Sequence, residues 1–129
     1  KNHAVICATL DGSLIQCIPS ESGEWTETSL PLPFGLKAGK GVAIADVNMD
    51  GRPDLVTTSE AQREADEMVA VAWKENSEQG WIDHAISDAR GRKFDRLEML
   101  DLDGDGDLDL LTCEEVHDLG VFWYENPEN

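Results

Sequence analysis

DLDGDGDLDL, Asp101–Leu110, sets aspartates at positions 101, 103, 105, 107 and 109 and glycines at 104 and 106. Carboxylates crowded in this way repel one another, and an unpaired charge is costly to bury, so a folded chain that keeps them together implies a cation. Disorder does not explain the acidity. The chain of 129 residues carries a formal net charge of −17, yet 40% of it is hydrophobic and it has four tryptophans, enough apolar side chain for one modest core. That charge argues against nucleic acid and anionic membrane surfaces as partners. No apolar run approaches the ~20 residues of a membrane-spanning helix, so membrane insertion is not expected. The chain opens at Lys1 without a signal-peptide pattern, which reads as a mature, processed or excised segment. Cys7, Cys17 and Cys113 are odd in number and lack CxxC spacing, so they define no disulfide framework and read as buried thiols.

The acidic stretch recurs. GVAIADVNMDGRPDLVTTSE from Gly41 lies over RLEMLDLDGDGDLDLLTCEE from Arg96, with Asp46 matching Asp101, 55 residues apart. Downstream, VAVAWKEN from Val69 lies over LGVFWYEN from Leu119, aligning Trp73 with Trp123 and Asn76 with Asn126. Upstream, SLIQCIPSESGEW ending at Trp25 lies over VAVAWKENSEQGW ending at Trp81. A repeat constrains the fold more firmly than local propensity does. The unit reads as short strands between turn residues, with no sustained helical period. Strands are expected at His3–Leu10, Ser13–Pro19 and Glu24–Leu30, then at Gly41–Asp46, Asp54–Ser59, Met68–Glu75 and Trp81–Ser87. The last three are Phe94–Asp101, Asp109–Cys113 and Gly120–Glu125. Ala61–Glu67 reads as an inserted loop with some helical propensity, because the third unit has only Glu114–Asp118 in its place.

Four antiparallel strands per unit is the pattern of a β-propeller blade. The expected fold is all-β, with a partial blade over residues 1–35, a complete one over 36–90 and a partial one over 91–129, about two and a half blades in all. The chain resembles the FG-GAP and VCBS repeat family, found in integrin α-subunit propellers, certain lectins and many secreted bacterial proteins. DVNMDGRPDLV at Asp46, DLDGDGDLDLL at Asp101 and the downstream WKEN and WYEN carry the resemblance over nearly the whole chain. It implies structural Ca²⁺ in the loops between first and second strands, and a secreted or cell-surface setting.

The residues point to the same ion independently. Calcium is a hard cation taking six to eight oxygen ligands, and alternating acidic or amide side chains supply them along a tight loop. In the second loop Asp101, Asp103 and Asp105 stand at positions one, three and five, Gly106 permits the turn, Asp107 offers its carbonyl and Asp109 closes the site. In the first loop Asp46, Asn48, Asp50, Gly51, the Arg52 carbonyl and Asp54 take these parts, and the neutral Asn48 makes this the weaker site. Two Ca²⁺ ions are therefore expected. An EF-hand is excluded because its loop needs glutamate at position twelve and flanking helices, whereas position twelve is Thr57 or Thr112 and the flanks read as strands.

Other signals are weaker. The tryptophans' repeated positions favour packing between blades over sugar stacking. His3, His84 and His117 form no metal or catalytic pattern, and no nucleophile, phosphate loop or cofactor fingerprint appears, so no enzyme activity is expected. Lys37, Lys40, Arg90, Arg92, Lys93 and Arg96, with Arg63 and His117, fall on the rim opposite the acidic loops. That rim could receive an acidic protein or glycan ligand, or its cations could merely offset Asp83, Asp88 and Asp95. The function expected is a calcium-stabilised binding or scaffolding module; the alternative is an accessory domain of a polysaccharide-active enzyme whose catalytic region lies outside this chain. Because propellers close with four to eight blades, the missing ones are expected from a longer parent chain or from self-association.

Overall fold

The structure, a computed structural model, describes residues 4–60, 69–88 and 90–127. Among these residues ten strands form three antiparallel sheets. The first sheet contains β1 (Val5–Ala8), β2 (Ser13–Pro19) and β3 (Trp25–Pro31) in that order. The second contains β4 (Gly39–Ala45), β5 (Asp54–Ser59), β6 (Val71–Ser77) and β7 (Gly80–Ala85), and the third β8 (Phe94–Leu100), β9 (Asp109–Glu114) and β10 (Gly120–Tyr124). Every expected strand is present, with ends shifted by a few residues, and β2 and β5 have the expected bounds. Among the described residues one 3₁₀ turn, Pro33–Gly35, interrupts the β structure. The expected loop Ala61–Glu67, with Arg63, lies outside the described residues, as do His3, Met68 and Ala89. Among the described residues no helix is long and apolar enough to cross a membrane.

The repeat reappears as register. Leu55 pairs with Lys74 and Val56 with Trp73, as Leu110 pairs with Tyr124 and Leu111 with Trp123. Both first-to-second strand pairs shift register at the same place, between Gly39 and Val42 and between Phe94 and Leu97.

Alternation along β5 explains the layering, because successive side chains of a strand point to opposite faces. Leu55 joins Leu14, Leu32 and Leu36 in a cluster between the first and second sheets. Val56 joins Ala45, Val47, Ala70, Val71, Phe94 and Leu110 between the second and third. The four-stranded sheet is therefore covered on both faces. Val56, Val71 and Leu32 lose all contact with water, each burial worth about 1.5–3 kcal/mol. Gly41 lets β8 close on β4: a Cβ there would lie 2.9 Å from Thr58 Oγ1 and 3.2 Å from Leu97 Cδ2.

The tryptophans depart from expectation. Trp73 is half-buried and stacks on His84 with centroids 4.4 Å apart, but Trp25, Trp81 and Trp123 are exposed. Trp25 and Trp123 belong to the outer two sheets, whose far faces have no further layer among the described residues. The cysteines also differ from the buried thiols expected: Cys7 is exposed, while Cys17 and Cys113 are half-buried.

Candidate metal centre

Both acidic loops lie at the same end of the sheets, where β4 and β8 finish and β5 and β9 begin. In the second loop one carboxylate oxygen each from Asp101, Asp103 and Asp105 lies within 4.8 Å of the others, and all three residues are exposed. Backbone N–H groups aim them: Gly104 donates to Asp101 Oδ1 at 2.7 Å, Asp105 to Asp103 Oδ1 at 3.2 Å and Asp107 to Asp105 Oδ1 at 3.2 Å. Gly104 and Gly106 adopt φ of 85° and 105°, which side chains other than glycine's tolerate poorly. Among the described residues no lysine, arginine or histidine forms an ion pair with this triad. Asp107 is buried at the base of the loop. Burial, and the charges of Asp105, Asp109 and Asp103, push its carboxyl above the usual range.

The first loop is folded in the same manner but already holds a cation of its own. Asp46 accepts N–H bonds from Asp50 at 3.0 Å and Gly51 at 2.9 Å, and Asp50 accepts one from Arg52 at 2.8 Å. The Arg52 guanidinium then turns back to ion-pair with Asp50, while its Nε donates to the Asn76 carbonyl at 2.6 Å. Asn48 Nδ2 donates to Asp50 at 3.2 Å. The side chain of Arg52, whose carbonyl is the expected ligand, offsets part of the charge that would attract a metal. The Arg52→Ala variant is therefore expected to bind calcium more tightly at this loop, by severalfold, in a titration of a chain whose second loop is disabled by Asp105→Ala. Unchanged affinity would show that the guanidinium does not compete.

Position nine has a part that spacing did not disclose. Asp54 and Asp109 are almost completely buried, at 0% and 1% exposure, and both carboxylate oxygens of each hold backbone. Asp54 accepts from Val47 at 2.9 Å and Asn76 at 2.8 Å; Asp109 accepts from Leu102 at 3.1 Å and Asn126 at 2.9 Å. Each therefore ties the loop after the first strand to the end of the third. Burial raises the Asp109 carboxyl, but the N–H groups of Asn126 and Leu102 and the Trp123 indole outweigh it and leave the group below the usual carboxylate range. A carboxylate has about four lone-pair sites, so each aspartate keeps at least one for a metal. The signal in the sequence was the pairing of these aspartates with WKEN and WYEN. Asn126 goes further, donating from Nδ2 to the Val47 carbonyl of the neighbouring sheet at 2.8 Å.

At the opposite end the expected rim cations are engaged locally. Lys37 donates to the Asp11 carbonyl at 2.6 Å, Lys40 pairs with Glu60 at 3.3 Å, and Arg90 with Asp88 at 2.8 Å. Lys93 pairs with Glu115 and Asp95, and Arg96 with Glu98 at 2.6 Å. The backbone N–H of Arg92 donates to Glu114 at 3.0 Å. Glu114, which the sequence did not single out, organises this end. Its buried carboxylate also accepts from His117 N at 2.9 Å and Lys93 N at 3.4 Å.

Burial raises the Glu114 carboxyl, but the N–H groups of Arg92, His117, Lys93 and Leu119 prevail and hold it below its ordinary value of 4.5. A depressed folded-state value contributes stability that is complete above the unfolded value and is lost as pH falls through the folded one. Acid unfolding should therefore deepen below about pH 4.5, and Glu114→Gln should flatten that part of the stability–pH curve. Parallel curves for the two proteins would contradict this assignment. No family model matches the chain, and no curated protein or solved structure matches it either.

Proposed function

We propose that the chain is a calcium-binding segment of a β-propeller, of about two and a half blades, from a secreted or cell-surface protein, and that it serves as a binding or scaffolding module. The observation that carries the calcium reading is the Asp101, Asp103 and Asp105 triad. Its oxygens, within 4.8 Å of one another, suit an ion with bonds of about 2.3–2.6 Å, which spans opposite ligands up to about 5 Å apart. Magnesium, with bonds of about 2.0–2.1 Å and a strict octahedron, suits a loop of alternating carboxylates less well. Asp107 and Asp109 complete the second loop's oxygen set, and Asp46, Asn48, Asp50, Arg52 and Asp54 offer a weaker one.

The ion's part is structural: it neutralises carboxylates that the strand ends force together. The propeller reading is supported by the face-to-face stacking of repeated sheets and by the close approach of their first strands, β4 and β8, at Gly41. Calorimetric titration of the metal-free chain tests the calcium reading. A tight site lost in Asp105→Ala and a weaker site retained there are expected, with magnesium binding more weakly at both. No heat from calcium at millimolar concentration would refute it.

A further inference from the structure

The two acidic loops are joined by a relay of hydrogen bonds that crosses between sheets. Asp109, at position nine of the second loop, accepts the Asn126 N–H on Oδ1 at 2.9 Å. The Asn126 side chain reaches over to the second sheet, where Nδ2 donates to the Val47 carbonyl at 2.8 Å. Val47 donates its own N–H to Asp54 Oδ2 at 2.9 Å, and Asp54 stands at position nine of the first loop. The remaining oxygen of each aspartate is held as well, by Asn76 N at 2.8 Å on Asp54 and by Leu102 N at 3.1 Å on Asp109. Asn126 and Val47 thus link one closing aspartate to the other.

The relay enters the first loop where it controls the ligands. Val47 lies between Asp46 and Asn48, at positions one and three. Asp54 holds its N–H and Asn126 its C=O, so both peptide planes between those positions are fixed, and with them the directions in which the two side chains leave the backbone. Val47, Asp54 and Asp109 are buried, where a hydrogen bond is electrostatically stronger than in water. Asp109 has two parts at once, ligand to an ion and acceptor for Asn126. An ion in the second loop holds its carboxylate still, which steadies Asn126 and, through it, the Val47 peptides and Asp54. A site already ordered in this way binds its own ion more tightly.

We propose that the two loops bind calcium with positive coupling, and that Asn126 is the positioning residue whose carboxamide transmits it. This rests on the calcium reading of both loops. Linkage makes the coupling reciprocal, each ion tightening the other's site by the same factor. Direct charge acts the other way, because a divalent cation in one loop cancels carboxylates that would attract a second. Screening over a Debye length of about 8 Å at about 0.15 M salt keeps that opposing effect small. The fold therefore loads as a unit, with both ions present or both absent more often than independent sites would give.

The test follows calcium binding loop by loop, by NMR of the isotope-labelled 129-residue chain. The amides of residues 46–54 should report an affinity about fivefold tighter in the wild type, where the second loop fills first, than in Asp105→Ala, where it stays empty. That factor is the low end of ordinary couplings and within what one hydrogen bond can carry. In the Asn126→Ala background, whose backbone N–H still serves Asp109, the same ratio should fall to one or below, leaving only the opposing charge effect. The first comparison does not depend on Asn126→Ala folding. A second readout needs no ion in the first loop: with that loop disabled by Asp50→Ala, calcium in the second should slow hydrogen exchange at the Val47 N–H, and should not when Asn126→Ala is added. Calcium at both loops with the first indifferent to the second, or with a coupling that survives Asn126→Ala, would overturn the proposal and leave the calcium reading standing. Calcium absent from either loop would overturn it together with the two-site reading.

Discussion

Asp54→Ala is expected to destabilise the chain by about 3–5 kcal/mol, and Asp109→Ala by a similar amount. Each carboxylate is buried and accepts two backbone N–H bonds. A hydrogen bond to a charged group contributes about 1.5–3 kcal/mol, and its loss leaves a buried donor without an acceptor. Asparagine at either position is no remedy, because one of its two polar atoms would turn a donor toward an N–H. Against a total stability of about 5–15 kcal/mol for ordinary domains, the loss is large. Urea unfolding should show the midpoint falling with an unchanged slope. A loss below about 1 kcal/mol would mean that the clamps are not what fastens the loops.

The second large effect reverses sign with the metal. Asp103→Asn keeps an oxygen to accept the Asp105 N–H and removes one charge from the triad, so in excess chelator it should be neutral or slightly stabilising. In calcium it should be destabilising, because a ligand that binds only the folded state stabilises it by about 2.7 kcal/mol when its concentration is a hundredfold above Kd. For a chain of this size that corresponds to a wild-type midpoint rise on the order of 10 °C, much of it absent in the variant. Melting curves of both proteins, with and without calcium, decide the matter. The same ranking in both buffers would show that Asp103 is an ordinary surface charge.

The strands were legible because each repeat combines period-two alternation with turn residues, and because two aligned copies place the same boundary twice. The Asp101, Asp103 and Asp105 convergence was legible because a short loop interrupted by glycines leaves little freedom in where alternate side chains point. What spacing concealed depended on the third dimension. Asp54 and Asp109 read as ligands, but their hydrogen bonds reach residues Asn76 and Asn126 that lie 22 and 17 positions on. Arg52 read as a backbone oxygen, yet its long side chain folds back onto Asp50. The tryptophans read as packed between blades because their positions repeat, but burial also requires a neighbouring layer, and among the described residues Trp123 has none. Glu114 has no acidic counterpart in the second repeat, where Ser59 occupies the aligned position, so self-comparison passed it over.

Residue-resolved NMR of the metal-free chain during a calcium titration locates the ion directly. Saturating shifts are expected at the amides of residues 101–109, with those of 46–54 following at higher calcium and the rim around Glu114 unmoved. Unchanged spectra over 101–109 at millimolar calcium, or shifts spread over the surface without saturation, would contradict the calcium reading.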